Sequence, residues 1–374
     1  MTTPRPPANG ATAAGTAVYR DAHPALAERG HFRSTTTGLT LSSVGLGTYL
    51  GDEDDASDVL YGEALRRAID LGCNTIDTAI NYRCQRSERA VGRALQTILR
   101  SGQVERNQIV VATKVGFLPF DGHVPPNPQA YLRRTYIERG ITEPRELVAG
   151  CHCIAPDFLH DQLSRSLANL ETGTIDIYYL HNPETQLQEV SREEFNARMK
   201  AAFAFLEAQA DAGRIGAYGI ATWNGLRRSG RAPDYLALSD LIRLAEELRG
   251  PAHRFRFVQL PYNLAMTEAR TLASQPMDGR RLTVLQTAQE LDMTVIASAS
   301  ILQGQLTRLP GNLAAALPGL GSDAQRAIQF VRSTAGVTTA LVGMRGRRHV
   351  EDNLAVARVA PDPAAAETVL ARAA

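Results

Sequence analysis

Four side chains able to share one proton transfer stand at or just beyond the ends of apolar runs. They are Asp77 and Tyr82 in IDTAINY, Lys114 in VATK and His181 in DIYYLHNPE. A free phenol, with a pKa of about 10, gives up its proton reluctantly at neutral pH. An ammonium nearby stabilises the phenolate, an aspartate keeps that ammonium charged and placed, and an imidazole can hold a carbonyl oxygen. Together they make a general acid suited to an alkoxide developing from a carbonyl. The other half of such a reduction is a hydride, for which a reduced nicotinamide is the natural source. Each residue alone has a plainer reading: Asp77 as a turn cap, Lys114 as a solvated charge, His181 as an ordinary polar group. The chemistry requires a fold that brings all four to one place.

The elements between them supply one. Short apolar runs at 43–47, 75–77, 109–114, 175–180, 215–221, 257–260, 294–298 and 339–342 alternate with segments of helical period. In SDVLYGEALRRAIDLG, for example, Val59, Leu60, Ala64, Leu65, Ala68 and Leu71 share a face and Gly72 is a stop signal. Eight such units predict an α/β fold, a closed (β/α)8 TIM barrel, whose chemistry sits where strands end. A doubly wound sheet is the alternative; VGLGTYLG offers Gly45 and Gly47 but no full dinucleotide fingerprint. FRSTTTGLTLSSVG reads as a hairpin plugging the lower mouth. Between Lys114 and the helix near Asp157 lies an unusually long connection, expected to form a lid or pocket wall through Phe117 and its other aromatics. The expected layout is a loosely attached extension over 1–31, one barrel over 32–360 with an insertion over about 116–156, and a tail over 361–374.

A net charge of +1 gives no reason to expect nucleic acid, and no apolar run is long enough for a membrane span. The Ala-, Thr- and Pro-rich start lacks the apolar stretch of a secretory leader, so a cytoplasmic enzyme acting on a small molecule is expected. Cys151-His152-Cys153 with Cys84 has zinc-ligand residue types, but Cys-x-Cys is tighter than usual zinc spacing, and no metal is expected.

In order along the chain, GLGT, IDTAINY with RSERAVGRAL, VATK, DIYYLHNP, GIATWN, QLPYN, LQGQL and LVGMRGRRHVEDN resemble the aldo-keto reductases, from about residue 40 to about 357. The resemblance implies a catalytic tetrad of Asp77, Tyr82, Lys114 and His181. It implies NADP(H), with NAD(H) possible, held by Gly47, Thr48, Thr222, Asn224, Gln259, Ser298, Gly304, Gly343, Met344, Arg345, Arg347, His349, Asp352 and Asn353. Ser298 stands where the family often has a stacking aromatic, so stacking would come from elsewhere, as from Trp223, or be absent. Tyr49, Arg83, Cys84, Phe117 and Trp223 are the expected substrate pocket; the two arginines of RCQR, Arg83 and Arg86, point to a polar or anionic carbonyl or alcohol. A redox-neutral epimerase with retained nicotinamide and a non-catalytic binding or regulatory protein remain as alternatives.

Overall fold

A computed structural model describes residues 10–373. The chain enters through helices α1 (Ala13–Asp21) and α2 (Pro24–Ala27) and a hairpin of β1 (Phe32–Ser34) and β2 (Thr40–Ser42). The barrel begins with β3 (Val44–Gly47), α3 (Asp55–Asp70), β4 (Thr75–Asp77), α4 (Arg86–Arg100) and β5 (Val110–Val115). The insertion carries α5 (Pro128–Leu132) and leads to α6 (Pro156–Asn169). Then come β6 (Ile175–His181), α7 (Arg192–Asp211), β7 (Ile215–Ala221), α8 (Leu238–Arg249) and β8 (Phe255–Pro261). A short excursion of α9 (Glu268–Thr271), β9 (Gln275–Met277) and β10 (Arg280–Leu282) precedes α10 (Val284–Glu290) and β11 (Thr294–Ser298). Last are α11 (Gly311–Ala314), α12 (Asp323–Ser333), β12 (Val337–Gly343), α13 (Arg347–Leu354) and α14 (Pro363–Ala373).

Eight parallel strands close in the order β3-β4-β5-β6-β7-β8-β11-β12, and β12 returns to β3 with Gly343 opposite Gly47. Alternation along each strand sorts the side chains. Val110, Ala112, Ile177, Tyr179, Ala217, Phe257, Ile296 and Leu341 fill the barrel with Leu39 and Leu41 of the hairpin. Val111, Val115, Tyr178, Leu180, Tyr218 and Ile220 pack outward in the layer shared with the helices. Lys114, His181, Gln259 and Ser298 have the inward parity and lie at or near the strand ends. They therefore face the mouth rather than the helices.

Helix α3 starts at Asp54, whose side chain accepts from Ser57 N, and ends before Gly72, whose φ of +91° requires glycine. The N-terminal segment differs from the loose extension expected. Its first nine residues lie outside the described residues, but α1 is capped by Thr12 and buries Tyr19, whose hydroxyl donates to Ile69 O at 2.6 Å. Thr16 accepts from Thr40 N at 2.9 Å, tying α1 to the hairpin. The Ala- and Thr-rich composition hid one apolar face and one cap. The segment after 361 is likewise a packed helix, with Ala366, Val369 and Leu370 buried.

The insertion is anchored by Tyr136, whose buried hydroxyl donates to Pro119 O at 2.7 Å, and by short bridges of His152 to Phe117 and Val148. It forms a wall beside the mouth. Among the described residues, no helix is long and apolar enough to cross a membrane.

Candidate active site

The strand ends enclose a cleft of about 420 Å³ lined by Gly47, Thr48, Tyr49, Leu50, Asp77, Asn81, Tyr82, Phe117, His181, Asn182, Ala221, Thr222, Trp223, Gln259, Ser298–Ile301, Gln303 and Leu341–Gly343. Lys114 lies against it. Its ammonium donates to Asp77 Oδ1 at 2.6 Å and Thr78 O at 2.8 Å, and sits 4.7 Å from the centroid of the Tyr82 ring. Asp77 Oδ2 accepts from Gln259 Nε2 at 2.7 Å. One carboxylate is thus gripped from β5 and from β8. A buried pair of this kind adds little net stability, because desolvating two charges offsets their attraction, but it fixes position.

Burial is the largest influence on the Tyr82 phenol and pushes it upward; the Lys114 charge pulls it down and Asp77 adds to the rise. The ammonium acts in the expected direction, yet the net shift is upward and the phenol rests protonated. For Lys114 burial opposes the charge, but Asp77 and Tyr82 outweigh it and hold the group above its ordinary range. His181 is driven well below its ordinary value, first by burial and then by Lys114, so its imidazole is neutral; its buried Nδ1 has no hydrogen-bond partner. Its ring meets Tyr82 edge-on at 6.0 Å and Phe117 at 5.3 Å between centroids. The site therefore offers a protonated phenol, a cation that tempers it and a neutral imidazole.

Tyr82 is held by a strained loop. Arg83, Cys84 and Gln85, all non-glycine, have φ of 48°, 53° and 71°. Left-handed residues in series cost energy that surrounding contacts must repay. Arg83 supplies most of them: Nε donates to Asp52 O at 2.8 Å, and Nη2 to Asp54 O at 3.1 Å and to Asp58 at 2.6 Å. Gln85 Nε2 donates to Phe120 O at 2.9 Å. Arg83 and Cys84 are thus structural and do not line the cleft, contrary to expectation. Cys84 is buried and faces Glu53 at 3.9 Å. With Arg83 and Arg86 both paired to Asp58, the ground for an anionic substrate disappears.

The remaining expected residues divide. Gly47, Thr48, Tyr49, Phe117, Thr222, Trp223, Gln259, Ser298 and Gly343 line the cleft; Asn224 and Gly304 are chain neighbours of lining residues but not lining themselves. The Thr222 hydroxyl is committed, donating to Glu184 at 2.6 Å and accepting from Gly225 N at 2.9 Å. Met344 is fully buried and Asn353 nearly so. Arg345 lies 3.9 Å from Asp52, Arg347 pairs with Glu351, His349 is exposed, and Asp352 accepts from Gln325 at 2.9 Å and Ser322 at 3.1 Å. Among the described residues, no three His, Cys, Asp or Glu side chains are grouped to hold a metal ion. Sequence reasoning left Asn81 and Glu184 without a role. The partners of Glu184 lie about a strand and a helix away along the chain, beyond the reach of local pattern.

Residues 43–367 match the aldo/keto reductase family. Aldo-keto reductase YhdN of Bacillus subtilis is 25% identical over 277 residues, 72% of this chain and 62% of that protein. The NADH-specific methylglyoxal reductase of Escherichia coli is 29% identical over 151 residues, 39% of this chain and 40% of that protein. The chain thus spans less than two thirds of the length of these curated relatives. A crystal structure of an aldo/keto reductase from Klebsiella pneumoniae, in complex with NADP and acetate, superposes with a TM-score of 0.60 at 19% identity, over 91% of this chain and 94% of that one. Matched over most of its length and folded as this closed barrel, the chain belongs to the aldo/keto reductase family.

Proposed function

We propose that the protein is an NADP-linked oxidoreductase that interconverts an aldehyde or ketone and its alcohol, with Tyr82 as proton donor and acceptor. The observation that carries this reading is the Lys114 ammonium, bonded to Asp77 and packed against the Tyr82 ring, beside a neutral His181 on one cleft. In reduction, the Tyr82 hydroxyl gives its proton to the developing alkoxide while Lys114 stabilises the phenolate left behind. His181 directs the carbonyl oxygen toward that hydroxyl.

The cleft fits a dinucleotide. Gly47 and Gly343 face each other across β3 and β12 at the rim, leaving a side-chain-free strip where a flat ring can approach. The amino end of α13 is capped only by the backbone of Gly346, so its N–H groups can receive a phosphate, and half-exposed Arg345 stands beside it. When bound there, a nicotinamide cofactor supplies the hydride that no residue of the chain can. NADP(H) is favoured by Arg345, which suits an additional phosphate; it is also the cofactor of the Klebsiella neighbour.

The substrate side is walled by Tyr49, Leu50, Phe117 and Trp223. The charged group there, Asp77, is paired, and His181 is neutral. We therefore assign an uncharged carbonyl with an aromatic or alkyl body. The test is NADPH consumption with benzaldehyde and with carboxybenzaldehyde. Benzaldehyde should be turned over with the higher kcat/KM; absence of turnover with both, and with an aliphatic ketone panel, sinks the reading.

A further inference from the structure

Glu184 is a buried acid that the catalytic scheme does not use. It lies three residues after His181 in a short turn, and only 5% of it is exposed. Its Oε1 gathers four donors: Thr222 Oγ1 at 2.6 Å and the backbone N–H groups of Trp223, Asn224 and Gly225 at 2.9, 3.0 and 3.2 Å. Three successive amides turned onto one oxygen form a concave anion nest, and here the chain's own carboxylate fills it. Gly225 closes the turn: a Cβ there would lie 2.7 Å from Leu236 and 2.9 Å from Thr222 Oγ1. The second oxygen of Glu184 is buried without a hydrogen-bond partner, so the carboxylate gives up hydration to make this grip.

The grip connects two sides of the cleft. Glu184 is carried by the turn that follows His181, and what it holds is the Thr222–Gly225 turn at the end of β7. Thr222 and Trp223 line the cleft, and the Trp223 side is open, with 40% of the residue exposed. Among the described residues no aromatic ring packs on the indole, so its placement depends on its backbone; Arg227 Nε donates to the Trp223 carbonyl at 3.0 Å, and Glu184 holds the N–H side of the turn.

We infer that Glu184 is a positioning residue that sets the Thr222–Trp223 wall of the cleft and so governs how tightly cofactor and substrate are held. Its effect on binding rests on the oxidoreductase reading above; its effect on the turn does not. Trp223 is the single tryptophan of the chain, so fluorescence excited at the red edge, beyond the absorption of the 11 tyrosines, reports on this wall alone.

The experiment compares wild type, Glu184→Gln and Glu184→Ala by time-resolved Trp223 anisotropy, acrylamide quenching, NADPH titration and steady-state kinetics. Glu184→Ala should raise the quenching constant about twofold, add a fast anisotropy component, and raise the NADPH Kd and substrate KM about tenfold with kcat changed far less. Glu184→Gln, nearly isosteric and still offering one acceptor oxygen, should fall between; it carries the test if the alanine variant does not fold. Anisotropy and quenching indistinguishable from wild type in the folded variants overturn the inference. Wild type that binds no NADPH overturns the oxidoreductase reading instead, while the Trp223 signals still decide the role of Glu184.

Discussion

Lys114 Nζ donates to Asp77 Oδ1 at 2.6 Å with both side chains buried, and this contact joins the two halves of the proposed proton donor. Asp77→Asn keeps the shape and removes the counter-charge. The expected loss is about 3–5 kcal/mol at neutral pH, moderated if Lys114 sheds its proton. The sign with pH distinguishes this from a packing defect. In the wild type the Lys114 pKa is raised above its unfolded value, so its contribution is complete at neutral pH and is lost as pH rises through the folded value. In the variant the Asp77 contribution is gone and burial is expected to outweigh what Tyr82 still adds, depressing the value, so stability rises with pH and the gap to wild type narrows. Urea unfolding at neutral and mildly alkaline pH measures this; a constant gap contradicts it.

Tyr82→Phe removes only the hydroxyl. The Tyr49 and His181 rings that flank Tyr82 should still pack against the phenyl group. Turnover should fall by about 10²–10⁴, the usual range for a lost general acid. NADPH affinity, read from Trp223 quenching, should stay within about twofold. Retained turnover would move the proton donor elsewhere.

Arg83→Gln tests whether that residue serves the substrate or the fold. It is paired with Asp58 and bonded to two carbonyls of the loop before α3, so its loss releases the left-handed loop carrying Tyr82. A stability loss of about 3 kcal/mol is expected, with kcat reduced for neutral and carboxylated aldehydes alike. A selective loss of the carboxylated substrate would restore Arg83 to the pocket.

Much of this was legible in the chain. Strand ends at Asp77 and His181, and Lys114 one residue before the end of β5, follow from short apolar runs, and alternation alone puts Lys114 and His181 inside the barrel. The two-residue period is a local property, so it survives without tertiary knowledge. What sequence could not supply was partnership: Arg83 finds Asp58 on α3, and Glu184 finds four donors beyond the next helix. An unpaired Arg beside the proposed proton donor, Tyr82, therefore read as a substrate ligand. The β9–β10 hairpin did carry a local signal, Asp278-Gly279, both with positive φ, but its strands of three residues lack an alternating pattern.

Arg345 offers a test of the proposed preference for NADP(H). It is half-exposed, its carboxylate neighbour Asp52 is 3.9 Å away, and such a pair is weak enough to exchange for a phosphate. Arg345→Ala should weaken NADPH binding about tenfold while changing NADH binding less than twofold, by titration of both. Equal losses would mean that Arg345 meets the shared pyrophosphate or only supports the loop.

His152, from the Cys-His-Cys run, supports the site from behind. Its Nε2 donates to His181 O at 2.8 Å; its Nδ1 accepts from Gln186 Nε2 at 2.8 Å, and Gln186 Oε1 accepts from Arg198 at 2.7 Å. A carbonyl only accepts, so Nε2 carries the proton and the neutral tautomer is fixed. Gly116 leaves the space, since a Cβ there would lie 2.8 Å from His152 Nε2 and 2.6 Å from His181 O. Burial lowers His152 from 6.5 to about 4. The unfolded chain therefore binds a proton that the folded chain refuses, and stability is lost as pH falls from about 6.5 toward 4. The His152 share is on the order of 3 kcal/mol. His31, lowered to about 3 chiefly by burial, contributes a similar acid loss of its own. His152→Gln should be less stable at neutral pH yet flatter in acid, retaining only the loss from His31 and other groups. Urea unfolding in steps between neutral pH and pH of about 4.5 separates the two shapes, and parallel curves for variant and wild type would remove His152 from the acid response.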